Sequence, residues 1–329
     1  MEECVEPDKS SELVNSRKNN NLMCCTFVVI SSSVVFISLF TLYLFLSHIS
    51  FDLRKEEFSL IRCNRAHYNK TKNPNSRAIV SIITEDKAEY IRYAQVLAYS
   101  LRSAGKISCD YDMIMLHSCQ LKAQSIQTLE FAQWKIVEIS PIAFPNTTVI
   151  PMSKKFYKMF SKLHIFNMTD YKAVLYIDSD AFVVKQLAGM LDKSIEKMND
   201  LNVQLAWGID CGKYAWSLHN AGVMLVTPSH ALFTDLVLKI NIIEFDARLS
   251  EQSYLNKYFE NNSLLLPTTM NAMPFLHTGD VWKFVKNDII IIHWAFIKPD
   301  SLGAIYKCWW FDRLKECRMW TKYVNFFQI

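Results

Sequence analysis

Two aspartates separated by one residue, Asp178 and Asp180, are the clearest chemical feature of the sequence. They follow the apolar run Ala173–Ile177, which has the pattern of a strand covered on both faces. Open α/β sheets bind ligands outside the carboxyl ends of their strands, so we expect a ligand here. On a tight turn the two carboxylates can converge on one hard divalent cation, which in turn can hold a diphosphate. The alternative interpretation is an ordinary turn or helix N-cap, where Asp and Ser are common.

Strands and helices alternate along the part of the chain that contains this aspartate pair. The apolar patterns predict strands at 78–83, 111–116, 134–139 and 173–177, with helices at 91–104, 121–132 and 153–168. This alternation is typical of an α/β domain with a mainly parallel sheet. No glycine-rich turn follows the first strand, so the sequence does not support an NAD-type or Walker-type phosphate site.

The composition indicates a folded domain and argues against several classes of partner. The 329 residues are 50% hydrophobic and 13% aromatic, which is far from a disordered composition. The formal net charge is only +4, and no long Lys/Arg block recurs, so nucleic acid is disfavoured as a partner. Only one segment is long and apolar enough to span a membrane, which argues against a polytopic membrane protein.

That segment, residues 22–47, contains no charged side chain. As a helix it would be roughly 39 Å long, enough to cross a hydrocarbon core of ~30 Å. It is longer than the apolar core of a cleaved signal peptide and lacks a small-x-small site, so we predict an uncleaved signal anchor. The predicted layout is a cytosolic tail (1–21), a transmembrane anchor (22–47), a polar stem (48–76) and a globular domain (77–329).

The sequence places the globular domain on the luminal side of this anchor, in a type II single-pass protein. Six of the nine cysteines lie beyond the predicted anchor, an even number that is compatible with disulfides in an oxidising lumen. We predict residence in the Golgi membrane, with the endoplasmic reticulum as the alternative, and the sequence leaves the oligomeric state open. Four Asn-x-Ser/Thr sequons, which only a luminal chain can use, begin at Asn69, Asn146, Asn167 and Asn261.

Five blocks in this order resemble glycosyltransferase family 8, the group that includes glycogenin and galactinol synthase. Together they extend over most of the globular domain. They are AIVSIITEDKAEYIRYAQVLAYSLR (78–102), FSKLHIFNMTDYKAVLYIDSDAFVV (160–184), NAGVMLVTPS (220–229), EQSYLNKYF (251–259) and IIHWAFIKPD (291–300). The resemblance implies a GT-A fold, a UDP-sugar donor and transfer with retention of the anomeric configuration.

The same resemblance implies a metal site formed by Asp178, Asp180 and His293. Two carboxylates with one imidazole suit manganese better than a purely oxygen-liganded site, so we expect Mn²⁺, with Mg²⁺ as the alternative. Lys298 would neutralise the diphosphate as the glycosidic bond breaks. The last block departs from the family pattern, because it lacks the Gly after His293 and ends Lys-Pro-Asp instead of Lys-Pro-Trp.

By the same resemblance, two further groups of residues would hold the donor. Lys162 would contact phosphate or sugar, although a helical lysine is more often solvated. The residues expected at the nucleotide are Thr84 and Asp86, for the uracil and ribose, and Tyr90, as a stacking partner or a packing residue. Those expected at the sugar are Asp210, Asn220, Gly222, which lets the backbone approach closely, Glu251 and Gln252.

The sequence leaves the mechanism and the acceptor open. A retaining transfer can proceed through a covalent intermediate or by departure and attack on the same face of the sugar. Gln252 is a poor nucleophile and would more readily stabilise developing charge, while Glu251 would orient a hydroxyl. The acceptor would be a glycan, a lipid or a small polyol. The alternatives are a catalytically degenerate, membrane-tethered sugar-binding protein, an inverting GT-A transferase with Glu251 or Asp246 as base, and a luminal metallohydrolase.

Overall fold

The central element of the fold is a seven-stranded sheet. Its strands are β1 (Arg77–Ile83), β2 (Tyr111–His117), β3 (Lys135–Glu138), β4 (Ala173–Ile177), β6 (Leu205–Ile209), β7 (His219–Val226) and β8 (Leu264–Leu265). Their order in the sheet is β3-β2-β1-β4-β7-β6-β8. A computed structural model describes residues 76–210, 219–274, 279–295, 298, 317, 318 and 320. Strand β1 pairs in parallel with β2 and β4, and β2 with β3, whereas β7 is antiparallel to both β4 and β6. The predicted mainly parallel sheet is therefore confirmed, with β7 as its reversed strand.

Helices occupy the connections between these strands, as the alternating pattern predicts. The helix expected over 153–168 is present, but it is wound as a 3₁₀ helix over Lys154–Asn167. The α-helices are α1 (Ala88–Ser103), α2 (Ala123–Phe131), α3 (Ala188–Asp200), α4 (His230–Lys239), α5 (Ser250–Tyr258) and α6 (Gly279–Val285). Two shorter 3₁₀ helices lie at Ala247–Leu249 and Thr268–Met270.

Strand β4 lies at the centre of the core and is buried along its whole length. Its side chains alternate between two hydrophobic clusters: Leu175 and Ile177 belong to one, Val174 and Tyr176 to the other. Each fully buried apolar side chain of this size contributes about 1.5–3 kcal/mol relative to an exposed one. The end of β4, where the aspartate pair begins, is thus held rigidly by packing on both faces.

Two short strands outside the main sheet form a ribbon of their own. Strand β5 (Ala181–Val183) pairs in antiparallel fashion with β9 (Ile291–His293), and Ala181 is the partner of His293 in the register. A third hydrophobic cluster, which includes Phe182, Ile292 and Trp294, holds this ribbon. The ribbon joins the residue after Asp180 to a segment far along the chain.

The predicted tail and anchor, and the stem up to residue 75, lie outside the described residues. Among the residues that the structure describes, no helix is long and apolar enough to cross a bilayer. Cys109 and Cys317 are disulfide-bonded, whereas Cys119 is a free thiol. Because Cys119 is free, the six cysteines beyond the predicted anchor are not all paired, although their number is even.

Candidate active site

Asp178, Asp180 and His293 converge at the end of β4. The chain turns there through a hydrogen bond from the N–H of Ala181 to the carbonyl of Asp178, 3.0 Å long. Pairing of β5 with β9 then brings His293 alongside, as the last residue of its strand. Nε2 of His293 lies 3.6 Å from Oδ2 of Asp178 and 3.3 Å from Oδ1 of Asp180. One ligand atom from each of the three residues lies within 4.8 Å of the others.

Each aspartate uses one oxygen for a protein partner and presents the other to His293. Oδ1 of Asp178 lies 3.1 Å from Nζ of Lys162 and accepts a hydrogen bond from the hydroxyl of Tyr176. Oδ2 of Asp180 accepts from the ammonium of Lys298, which also donates to the carbonyl of Trp294. The remaining oxygens, Oδ2 of Asp178 and Oδ1 of Asp180, face the imidazole.

Oδ1 of Asp180 is the strongest indication that a cation belongs here. Among the described residues this oxygen is buried and receives no hydrogen bond. Burial opposes ionisation of Asp180, but the positive charge of the Lys298 ammonium outweighs it and holds the pKa of Asp180 below its ordinary value. A buried carboxylate oxygen without a donor is costly, so the residues present fit a divalent cation bound between the two carboxylates and Nε2.

Lys162 is not solvated on its helix but buried beneath the aspartate pair, with 4% of its surface exposed. Its ammonium donates to three acceptors: Oδ1 of Asp178 at 3.1 Å, Oε1 of Glu251 at 2.9 Å and the carbonyl of Ala221 at 3.3 Å. Burial alone would lower the pKa of Lys162, but the two carboxylates raise it above its ordinary value. Because an ammonium has three N–H groups, Lys162 has a protein acceptor for each of them. In this arrangement it fixes Glu251 and Asp178, and the expected contact with phosphate or sugar stays a prediction.

Three of the residues expected at the sugar are joined by hydrogen bonds of their side chains. Nε2 of Gln252 donates to Oδ2 of Asp210 at 2.7 Å, and Oε1 of Gln252 accepts from Nδ2 of Asn220 at 3.1 Å. The backbone N–H of Ala221 donates to the same Oε1, also at 3.1 Å. The structure therefore brings together Asp210, which directly follows β6, Asn220 on β7 and Gln252 at the start of α5.

Gly222, predicted to allow a close backbone approach, makes that approach to His293. A Cβ atom at position 222 would lie 2.1 Å from Cε1 of the His293 ring and 2.6 Å from its Nδ1. These separations are far below any van der Waals contact, so only glycine leaves room for the imidazole at this point of β7.

We therefore expect Gly222→Ala to weaken cation binding by pushing the His293 ring away from the aspartates. Overpacking of this kind costs about 1–3 kcal/mol of stability. Titration of the protein with Mn²⁺ and its thermal unfolding measure the two effects. Gly189→Ala is the matched control, because a Cβ at position 189 meets no atom within 4 Å. Unchanged Mn²⁺ affinity in Gly222→Ala would contradict this prediction.

The residues expected at the nucleotide divide into two groups. Thr84 and Tyr90 line a cleft together with Asp178, Ser179 and Asp180. Asp86 instead caps α2, because its carboxylate accepts hydrogen bonds from the N–H of Lys122 and the hydroxyl of Ser125, both at 2.7 Å. The remaining residues that line the cleft are Ile82, Ile83, Lys155 and Met159.

Two residues of this region were not predicted. Tyr176 precedes Asp178 by two positions, and a buried tyrosine hydroxyl needs a partner, so the sequence did contain a signal for their contact. Asn271 was not predictable, because it follows a 3₁₀ helix of three residues and belongs to no motif. Its Oδ1 lies 3.0 Å from Nδ1 of His293.

The fold and the site together define a class of protein. The structure resembles that of the galactosyltransferase LgtC in complex with donor and acceptor sugar analogues, with a TM-score of 0.50, 18% identity, and 73% of this chain and 94% of that chain covered. It also resembles the bifunctional glycosyltransferase WbbM, with a TM-score of 0.54, 17% identity, and coverage of 76% and 50%. At these identities the likeness concerns the fold. The chain has a GT-A-like glycosyltransferase fold.

The sequence gives the family. Residues 81–309 match the model of Glycosyl transferase family 8, and the chain belongs to this family of glycosyltransferases. The chain is 33% identical over 187 residues to inositol phosphorylceramide glucuronosyltransferase 1 of Arabidopsis thaliana, covering 55% of this chain and 30% of that protein. It is 30% identical over 235 residues to a putative UDP-glucuronate:xylan alpha-glucuronosyltransferase 4 of the same plant, covering 71% and 38%. Galactinol synthase 5 of that plant is 22% identical over 270 residues, covering 73% and 76%. The chain thus spans about a third of the length of these glucuronosyltransferases.

Proposed function

We propose that the chain transfers a hexose-type sugar from a UDP-sugar to a glycan, lipid or polyol acceptor with retention of configuration. The observation that carries this proposal is the convergence of Asp178, Asp180 and His293, with a buried oxygen of Asp180 that receives no hydrogen bond among the described residues. A divalent cation bound there, Mn²⁺ or Mg²⁺, would offset the charge of the donor diphosphate.

Among the residues that the structure describes, Lys298 is well placed to assist the leaving group. Its ammonium already reaches Oδ2 of Asp180, at the edge of the proposed cation site. A fixed positive charge there favours bond breaking, because negative charge on the diphosphate grows as the transition state forms.

Gln252 supports a same-face transfer rather than a covalent intermediate. Its Oε1 already accepts two hydrogen bonds, from Asn220 and from the N–H of Ala221. An amide oxygen held in this way is a weak nucleophile, but its dipole can stabilise positive charge on the sugar. Glu251, paired with buried Lys162, would orient a sugar or acceptor hydroxyl.

The relatives guide the choice of donor, and the N-terminal pattern guides the cellular location. UDP-glucuronate is the first donor to test, because curated relatives at 30% and 33% identity are named glucuronosyltransferases.

We further propose that residues 22–47 anchor the enzyme in the Golgi membrane with residues 77–329 in the lumen, the endoplasmic reticulum being the alternative.

The test is release of UDP by the full chain from UDP-glucuronate, UDP-glucose, UDP-galactose and UDP-GlcNAc. We expect release from one donor with Mn²⁺ or Mg²⁺ and none with EDTA. NMR of the product then reports the anomeric configuration, and inversion would favour a base mechanism with Glu251 or Asp246. If the folded protein bound no nucleotide sugar, the catalytically degenerate alternative would replace this proposal.

A further inference from the structure

Asn271 joins the cation site to the hydrogen-bonded side chains around Gln252. It is buried, with 1% of its surface exposed. Its Oδ1 lies 3.0 Å from Nδ1 of His293, and its Nδ2 donates to Oδ1 of Asn220 at 3.2 Å. The connected side chains, in order, are those of Asp210, Gln252, Asn220, Asn271 and His293; we call them the amide chain.

The orientation of each amide in this chain is set by groups that cannot exchange donor and acceptor roles. Oδ1 of Asn220 accepts from the backbone N–H of Gly222 at 2.9 Å. Oε1 of Gln252 accepts from the N–H of Ala221, while its Nε2 faces the carboxylate of Asp210. A backbone N–H only donates and an ionised carboxylate only accepts, so rotating either amide by 180° would place like groups together.

The fixed orientation of Asn220 determines that of Asn271. Because Oδ1 of Asn220 is an acceptor, Asn271 must turn its NH₂ group toward it and its own oxygen toward His293. An oxygen at that position requires a hydrogen on Nδ1 of the imidazole. A neutral imidazole has only one N–H, so Nε2 keeps its lone pair. That lone pair points at Oδ2 of Asp178 and Oδ1 of Asp180.

The backbone around Asn271 fixes its side chain in place. A Cβ on Gly208 would lie 2.7 Å from both Cβ and Nδ2 of Asn271, so the bulge in β6 leaves room for this amide only because residue 208 is glycine. Two hydrogen bonds attach the next residue to β9: Ala272 donates to Ile291 at 3.0 Å and accepts from the N–H of His293 at 2.9 Å.

We propose that Asn271 is a positioning residue for His293, which holds the imidazole in the Nδ1–H form with Nε2 ready to bind a divalent cation. This inference rests on the proposed function only for the identity of that ligand. Partners of this kind, which orient a ligating histidine, typically change metal affinity by about 10–100-fold when they are lost.

The first test uses the full chain in the presence of Mg²⁺, a diamagnetic cation that offsets the charge of the two carboxylates facing Nε2. Imidazole nitrogen and carbon chemical shifts of His293, measured by NMR at a pH where the ring is neutral, distinguish the two tautomers. We expect the Nδ1–H tautomer in the wild type and in Asn271→Asp, whose carboxylate still accepts from Nδ1. We expect Asn271→Leu to lose this preference. Wild-type protein in the Nε2–H form would overturn the proposal.

The second test measures the affinity for Mn²⁺ alone by electron paramagnetic resonance. We expect Asn271→Leu to weaken binding by about 10–100-fold. Asn256→Leu is the matched control, because it removes another buried amide that has no contact with His293. The Asn256 side chain bonds to the backbone of His219 and to the backbone carbonyl of Gln252, and to no side chain of the amide chain. Equal Mn²⁺ affinities of Asn271→Leu and wild type would overturn the proposal. Nδ1–H in a wild type that binds no Mn²⁺ would instead support the orientation of His293 and contradict the cation of the proposed function.

Discussion

Asp180→Asn is expected to abolish metal-dependent UDP release while the protein stays folded. The substitution removes the charge from the buried oxygen that faces Nε2 of His293, and it replaces a carboxylate partner of Lys298 by a neutral amide. Loss of a direct ligand should reduce activity more than loss of a residue that only orients a ligand, for which the typical reduction is about 10–100-fold. UDP release over a range of Mn²⁺ concentrations measures the loss.

The matched control for this substitution is Asp288→Asn, which neutralises an exposed aspartate that is paired only with exposed Lys185 among the described residues. We expect wild-type activity in the control, because exposed pairs of this kind contribute about 0–1 kcal/mol and lie at the surface. Full metal-dependent turnover by Asp180→Asn would show that this carboxylate is not a ligand of the cation.

Of the substitutions considered, Lys162→Met should lower the free energy of unfolding the most. It leaves the buried carboxylate of Glu251 without its ammonium partner at 2.9 Å. Removing one partner of a buried ion pair typically costs about 3–5 kcal/mol, because the other charge stays buried without compensation. Urea unfolding at neutral pH measures this loss. The double variant with Glu251→Gln should recover much of it, since no stranded charge remains.

Lys158→Met is the control for that experiment, because Lys158 lies on the same 3₁₀ helix but is 46% exposed, with Glu85 at 3.4 Å. We expect its free energy of unfolding to change by less than about 1 kcal/mol.

The pH dependence of the Lys162→Met effect follows from the raised pKa of Lys162. Its stabilising contribution is complete below the unfolded value of about 10.4 and is lost only as the pH rises through the folded pKa. The stability difference should therefore be constant from neutral pH to mildly alkaline pH, and a difference that disappears there would contradict the ion-pair assignment.

The sheet and the aspartate pair were predictable because their signals are local. The run Ala173–Ile177 is apolar at every position, so burial on both faces follows from the sequence. The direction of β7 was not predictable, since an antiparallel central strand and a parallel one have the same apolar pattern here. The 3₁₀ winding of Lys154–Asn167 was likewise invisible, because the sequence shows only that the segment is helical.

The partners of the site residues were harder to predict, because they depend on tertiary contacts. Strands β5 and β9 have three residues each, too few for any periodicity to reveal that Ala181 pairs with His293. A lysine on a helix is usually solvated, and only the packed structure shows Lys162 beneath two carboxylates. Asp86 is a second example. The sequence suggests a contact with the nucleotide, and only the structure shows that its carboxylate binds the start of α2, which lies far along the chain.

The ribbon of β5 and β9 also determines when the cation site can form during synthesis. The two aspartates leave the ribosome well before His293, and at about 5–20 residues per second the delay is on the order of 10 s. During that interval the carboxylates lack their nitrogen ligand, and a two-stranded ribbon has little stability of its own. The site is therefore completed late in folding. Cation capture would then act as a checkpoint that favours chains in which β9 has docked, because ligand binding stabilises only the state that contains the finished site.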